Sequence, residues 1–175
     1  TGNLTVTIIG DDLVADSITA GTGSADTLTI TGTNAITADN LDTVTKFETI
    51  SFGGNSAISV TTANEIVGSG ESMAIDGSAL TTAALTFVGT EETTGTFNVT
   101  VAGTGNHTIS LGNAADTVTS TSTGNVTVVG DGGNNTITTG AGDDAITLGT
   151  GNDTVTSAAG ADTITAATAQ LTSAD

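Results

Sequence analysis

Gly130-Asp-Gly-Gly-Asn-Asn-Thr-Ile-Thr138, Thr139-Gly-Ala-Gly-Asp-Asp-Ala-Ile-Thr147, Leu148-Gly-Thr-Gly-Asn-Asp-Thr-Val-Thr156 and Ser157-Ala-Ala-Gly-Ala-Asp-Thr-Ile-Thr165 follow one another without a gap. Each is a nonapeptide whose first part is built of turn residues and whose last part alternates Thr with an aliphatic residue. The aliphatic positions extend upstream: Ile109, Val118, Val128, Ile137, Ile146, Val155 and Ile164 are nine residues apart, with a single ten-residue step. A fixed period of this length marks a repeat architecture. In Thr-Ile-Thr the central side chain faces one way and both Thr the other, the period-2 signature of a half-buried strand. One aliphatic per strand buries almost nothing by itself, so successive coils must stack for the chain to fold.

Working outward, the whole chain fits a β protein. Thr is abundant, and its β-branched side chain favours extended backbone. The 24 Gly and absence of Pro suit many tight turns that keep their backbone N–H groups for pairing. A hydrophobic fraction of 36% spread at regular intervals argues against disorder, despite the acidity. Nineteen acidic residues face one basic residue, Lys46, for a formal net charge of -18. That charge excludes nucleic acid and anionic membrane as expected partners and points to a cation. With no Cys there is no disulfide, thiolate metal site or redox motif. No apolar run is long enough to span a bilayer. Thr1 is not Met and the repeat rhythm starts early, so the sequence reads as a piece of a longer polypeptide.

The four nonapeptides resemble the glycine-rich G-G-x-G-x-D-x-U-x repeat of the repeats-in-toxin (RTX) family, U being aliphatic. Gly133, Gly142, Gly151 and Gly160 stand at position four; Asn135, Asp144, Asp153 and Asp162 at position six; Ile137, Ile146, Val155 and Ile164 at position eight. The resemblance implies an all-β fold, a parallel β-roll or β-solenoid with calcium-binding Gly-Asp turns, in which two nonapeptides make one coil. Asp144 then stacks on Asp162 and Asn135 on Asp153, each pair 18 residues apart. Oxygen-only donors without His or Cys favour Ca2+ over zinc or copper, and several protein oxygens favour it over the water-retaining Mg2+. The implied metal residues are Asp144, Asp162, Asp153, Asn135, Asp116, Gly142, Gly151, Gly160, Gly133 and, from a similar unit upstream, Asp26. The other reading of the Asx residues, as turn formers only, leaves their fixed phase before each aliphatic unexplained.

Departures from the family pattern mark weaker turns. Thr139, Leu148 and Ser157 replace Gly at position one, and Val126 stands at position six of the unit 121–129, which impairs a site between Val126 and Asp144. In the unit 102–110, position six is His107, read as an exposed side chain in a degenerate turn rather than a ligand or a catalytic base. Upstream, Gly21-Thr-Gly-Ser-Ala-Asp-Thr-Leu-Thr29 restores the rhythm, but between about residues 33 and 100 the spacing drifts, and Phe47, Phe52, Phe87 and Phe97 all lie there. Residues 1–101 therefore read as an irregular solenoid with wider coils and residues 102–175 as the nonapeptide roll, in one continuous elongated domain. Thr62-Ala-Asn-Glu65 has the form of a capping box opening a short helical turn.

For an enzyme the candidates are one His and scattered carboxylates such as Glu91-Glu92, read as a solvated pair, so no catalytic residue is expected. The segments 40–52 and 74–88 look like those of bacterial surface-layer and RTX-type surface proteins. Together these resemblances imply an extracellular structural protein of the bacterial cell surface. Its expected partners are calcium ions, further copies of itself in a lattice or fibre, and cell-surface polysaccharide. The alternatives are a stalk or ligand-binding module of a calcium-dependent adhesin, an ice-binding Thr array, and the secretion and folding module of a type I secreted enzyme.

Overall fold

The nine-residue phase becomes a three-dimensional stack in which every strand pairs in parallel with the equivalent strand of the next coil. A computed structural model describes residues 3–9, 18–23, 25–32, 35–36, 41, 44–63 and 66–166. One sheet stacks β1 (Thr5–Ile9), β3 (Thr27–Thr31), β6 (Thr49–Gly53), β8 (Ser72–Gly77), β10 (Thr96–Val101), β12 (Thr117–Ser120), β14 (Thr136–Thr138) and β16 (Thr154–Thr156) in that order. The facing sheet stacks β4 (Ala35–Ile36), β7 (Ile58–Thr61), β9 (Leu85–Val88), β11 (His107–Ser110), β13 (Val126–Val129), β15 (Ala145–Thr147) and β17 (Thr163–Thr165). A short third pair joins β2 (Ile18–Thr19) to β5 (Val44–Thr45). The fold is an all-β parallel solenoid. The helical turn expected at Thr62-Ala-Asn-Glu65 falls partly on residues 64 and 65, outside the described residues.

Register gives the coil length directly. Thr136 pairs with Thr154, Thr127 with Ala145 and Ala145 with Thr163, each 18 residues apart, which is two nonapeptides per coil. One coil earlier the step is 19, as Thr117 pairs with Thr136 and His107 with Val126. Further upstream the coils widen: 22 residues separate Thr27 from Thr49, 24 separate Ala74 from Asn98, and 27 separate Ile58 from Leu85. The four Phe fill this wider interior. All are buried, and the Phe87 and Phe97 rings meet edge to face at 5.0 Å, a favoured aromatic geometry.

The core is a pair of aliphatic columns. In one sheet Leu28, Ile50, Ile75, Val99, Val118, Ile137 and Val155 lie in successive register. In the other, Val60, Phe87, Ile109, Val128, Ile146 and Ile164 do the same. Each inward side chain is covered by the coils above and below it. Ile137 is 0% exposed, whereas Ile164, on the outermost described strand of its sheet, is 48% exposed. Cavity formation at a fully buried Ile costs about 2–5 kcal/mol. Ile137→Ala is expected to lose that much in urea denaturation and Ile164→Ala clearly less, because only the first leaves a hole between two coils.

Candidate metal centre

A parallel ladder holds neighbouring coils at about the 4.8 Å strand spacing, so each turn lies directly on the turn before it. The backbone of the turns is itself laddered: Thr150 N–H donates to Asp131 O, Ala141 N–H to Ser122 O and Thr123 N–H to Gly103 O, each at 2.8–2.9 Å. This stacking explains the glycine at position four. A Cβ on Gly151 would lie 2.0 Å from Gly133 O, and its φ of +124° is strained for any L side chain. Gly133, Gly142 and Gly160 face the equivalent carbonyls of Ala114, Gly124 and Gly142 just as closely.

Position six is where the turn meets the strand. Its side chain reaches one coil back and accepts a backbone N–H that the strand ladder leaves over. Asp116 Oδ1 accepts from Phe97 (2.7 Å), Asn135 Oδ1 from Asp116 (2.9 Å) and Asp153 Oδ1 from Asn135 (2.8 Å) along one flank. On the other flank Asp144 Oδ1 accepts from Val126 (2.8 Å) and Asp162 Oδ1 from Asp144 (3.0 Å). The structure thus stacks Asn135 with Asp153 and Asp144 with Asp162, and adds Asp116 to the first column. Asp116, Asn135 and Asp144 are buried; Asp153 and Asp162 are half-buried. Asp26 stands apart in an early coil, its Oδ1 accepting Leu4 N–H at 2.6 Å and its own N–H donating to Glu48 Oε2 at 2.7 Å.

The second carboxylate oxygens decide what the site can hold. Asp26 Oδ2, Asp116 Oδ2 and Asp144 Oδ2 are buried without a hydrogen-bond partner, and so is Thr139 Oγ1, in the same turn as Asp144. A buried anionic oxygen without a partner is costly, and a hard cation bound there would remove the cost. No three acidic or imidazole side chains converge among the described residues, so backbone carbonyls must complete the shell. Carboxylate plus carbonyl oxygens are the donor set of Ca2+, and the residues present fit it. Asp116 shows the strain electrostatically. Burial pushes its carboxyl up to about 6; the Phe97 and Gly112 N–H groups oppose this, and nearby Glu92 adds to it.

Two sequence expectations are corrected. His107 is not exposed but 1% exposed, because it occupies position six and turns inward with its column. Its Nδ1 accepts Leu85 N–H at 3.1 Å and its Nε2 lies 3.1 Å from Ala102 O. Burial lowers its pKa, offset in part by the Ala102 carbonyl. Glu92 is not a solvated partner of Glu91: it is buried, and its carboxylate accepts N–H groups from Val67, Thr94 and Gly95 at 2.9–3.1 Å. Burial pushes Glu92 up, but its backbone N–H partners together hold it below its ordinary value.

The sequence reading also passed over a second ladder, at position five. Asn125 N–H donates to Asn106 Oδ1, Asp143 N–H to Asn125 Oδ1, Ala161 N–H to Asp143 Oδ1 and Asn152 N–H to Asn134 Oδ1, all at 2.8–3.0 Å. This exposed ladder runs opposite to the buried one, each side chain accepting from the coil that follows. Its signal was present as the Asx pairs at positions five and six.

Residues 129–164 match the family of the RTX calcium-binding nonapeptide repeat, in four copies. The segment is an RTX β-roll. No curated protein and no solved structure matches the chain. The repeats that match are described as calcium-binding, and Asp144 stands within them with a buried carboxylate oxygen that has no hydrogen-bond partner.

Two outcomes test this geometry. Gly151→Ala, which meets both the strained φ and the Gly133 carbonyl, is expected to cost at least about 1–3 kcal/mol, read as a lower urea midpoint. In calcium-free buffer Asp116 holds its proton more tightly folded than unfolded, so stability falls as pH rises from about 4 to about 6. Asp116→Asn is expected to remove that slope from thermal midpoints measured across the window.

Proposed function

We propose that the protein is a secreted, calcium-stiffened structural solenoid of a bacterial surface layer or extracellular matrix, acting as scaffold rather than catalyst. The observation that carries this reading is the buried, unpartnered carboxylate oxygen at Asp144 and Asp116, in a stack whose turns repeat the RTX calcium-binding pattern. A cation that binds only the folded turns adds RT ln(1 + [L]/Kd) per site, about 2.7 kcal/mol at a hundredfold excess over Kd. Folding is thereby tied to the calcium content of the medium.

Self-association is supported by the chemistry of the surface. The net charge of -18 keeps copies apart until a divalent ion bridges them. No described helix is long and apolar enough to cross a membrane. The buried acids and imidazole are each engaged in holding turns: Glu92 by three N–H groups, His107 between Leu85 and Ala102.

Titrating Ca2+ into EGTA-stripped protein, with Mg2+ as control, tests the reading by far-UV circular dichroism and negative-stain microscopy. A calcium-specific rise in β signal accompanied by sheets or fibres is expected. Folding without assembly would move the function to an adhesin stalk or secretion module, and equal structure in EGTA would remove the calcium requirement.

A further inference from the structure

A polar side chain at position six carries two polar atoms with different tasks. The first accepts the N–H of the preceding coil. The second faces its own turn, and Asn135 shows what it meets there: Nδ2 donates to Gly130 O at 2.9 Å and to Gly132 O at 3.1 Å, the carbonyls of positions one and three. The amide orientation is fixed by these partners, since Asp116 N–H requires an acceptor and two carbonyls require a donor. His107 repeats the arrangement with an imidazole. Nδ1 takes Leu85 N–H, which leaves the hydrogen on Nε2 to donate to Ala102 O, again the carbonyl of position one.

The next turn on that flank has Val126 at position six, which offers no polar atom, and its Ser122 adds a donor to the His107 turn instead. Ser122, buried at position two, points its hydroxyl at Gly103 O and Gly105 O of the turn beneath it, 3.1 Å from each. Where position six is Asp116 or Asp144, the second atom is a carboxylate oxygen, and it has no partner. One backbone thus carries two polarities. A donor facing the turn carbonyls closes the turn, while an oxygen facing them leaves it open to a positive charge.

We propose that His107 and Asn135 stand in for the cation, with Ser122 adding its hydroxyl to the His107 turn, so that these turns close without metal and cation sites are confined to turns whose position-six residue is a carboxylate. The roll is then a mixture of self-closed and metal-requiring turns. The self-closed ones hold the register of β11 and β14 in the absence of calcium. This inference rests on the calcium reading for the open turns only; the closed turns follow from the hydrogen bonds alone.

The test is a reciprocal exchange in the full chain, followed by calorimetric Ca2+ titration and by thermal midpoints in EGTA and in saturating Ca2+. Asn135→Asp is expected to bind an additional calcium ion per chain, to melt below the parent in EGTA and to recover in Ca2+. Asp144→Asn, whose amide would face the carbonyls of Thr139 and Ala141, is expected to bind fewer ions and to melt above the parent in EGTA. The inference is overturned if Asn135→Asp gains no calcium and keeps the parent's EGTA midpoint. Should Asn135→Asp not fold in either condition, Asp144→Asn decides: a higher EGTA midpoint supports the stand-in role and an unchanged or lower one refutes it. A parent that binds no calcium would remove the calcium reading, while the EGTA midpoints of the two variants would still judge this one.

Discussion

Everything in this molecule depends on the strand spacing. Parallel hydrogen bonding fixes the distance between coils at about 4.8 Å, and whatever a residue does in one coil its equivalent must do again directly above. Aliphatics stack into a core, Thr into outer rows, glycines under carbonyls, and carboxylates on carboxylates. The first of these is favourable and the last is not. The turn chemistry answers that one unfavourable consequence of the spacing.

The answer is distributed between backbone and side chains. The Oδ1 atoms of Asp116, Asn135, Asp144, Asp153 and Asp162 accept N–H groups of the preceding coil, which disperses part of the charge of each carboxylate among them. The second oxygens of Asp116 and Asp144 are left buried and unpartnered, whereas Asn135 and His107 present a hydrogen in the equivalent place. A chain with 19 acids and one Lys would repel itself in the absence of counter-ions. The wider upstream coils use a different resource: four buried Phe supply apolar area that the nonapeptides, with one aliphatic each, lack.

The regular part of this design was legible because it is local. Nine residues contain a complete turn and strand, so the phase of Gly133, Asn135 and Ile137 is readable directly, and the resemblance to the RTX repeat then implies the stacking of Asn135 on Asp153 and of Asp144 on Asp162. The position-five ladder lay in the same phase and was overlooked, since Asn and Asp there read equally well as turn formers. Glu92 and His107 were misread for another reason. A lone acid or imidazole in an irregular turn is usually solvated, and only the coils laid against them, through Val67 and Leu85, bury them.

The sequence by itself determined the nonapeptide period, its stacked β-strands, the inward aliphatic of each strand and its acidic turns, because each lies within nine residues, while the parallel roll with 18 residues per coil came from the resemblance to the RTX repeat. The tertiary structure alone decided which turn oxygens are satisfied. Whether Asp144 Oδ2 or Asn135 Nδ2 meets a partner depends on carbonyls and N–H groups brought together by stacking, across separations that no local pattern encodes. That is also why Ser122, a plain turn residue in the sequence, proves to close the turn of residues 103–105.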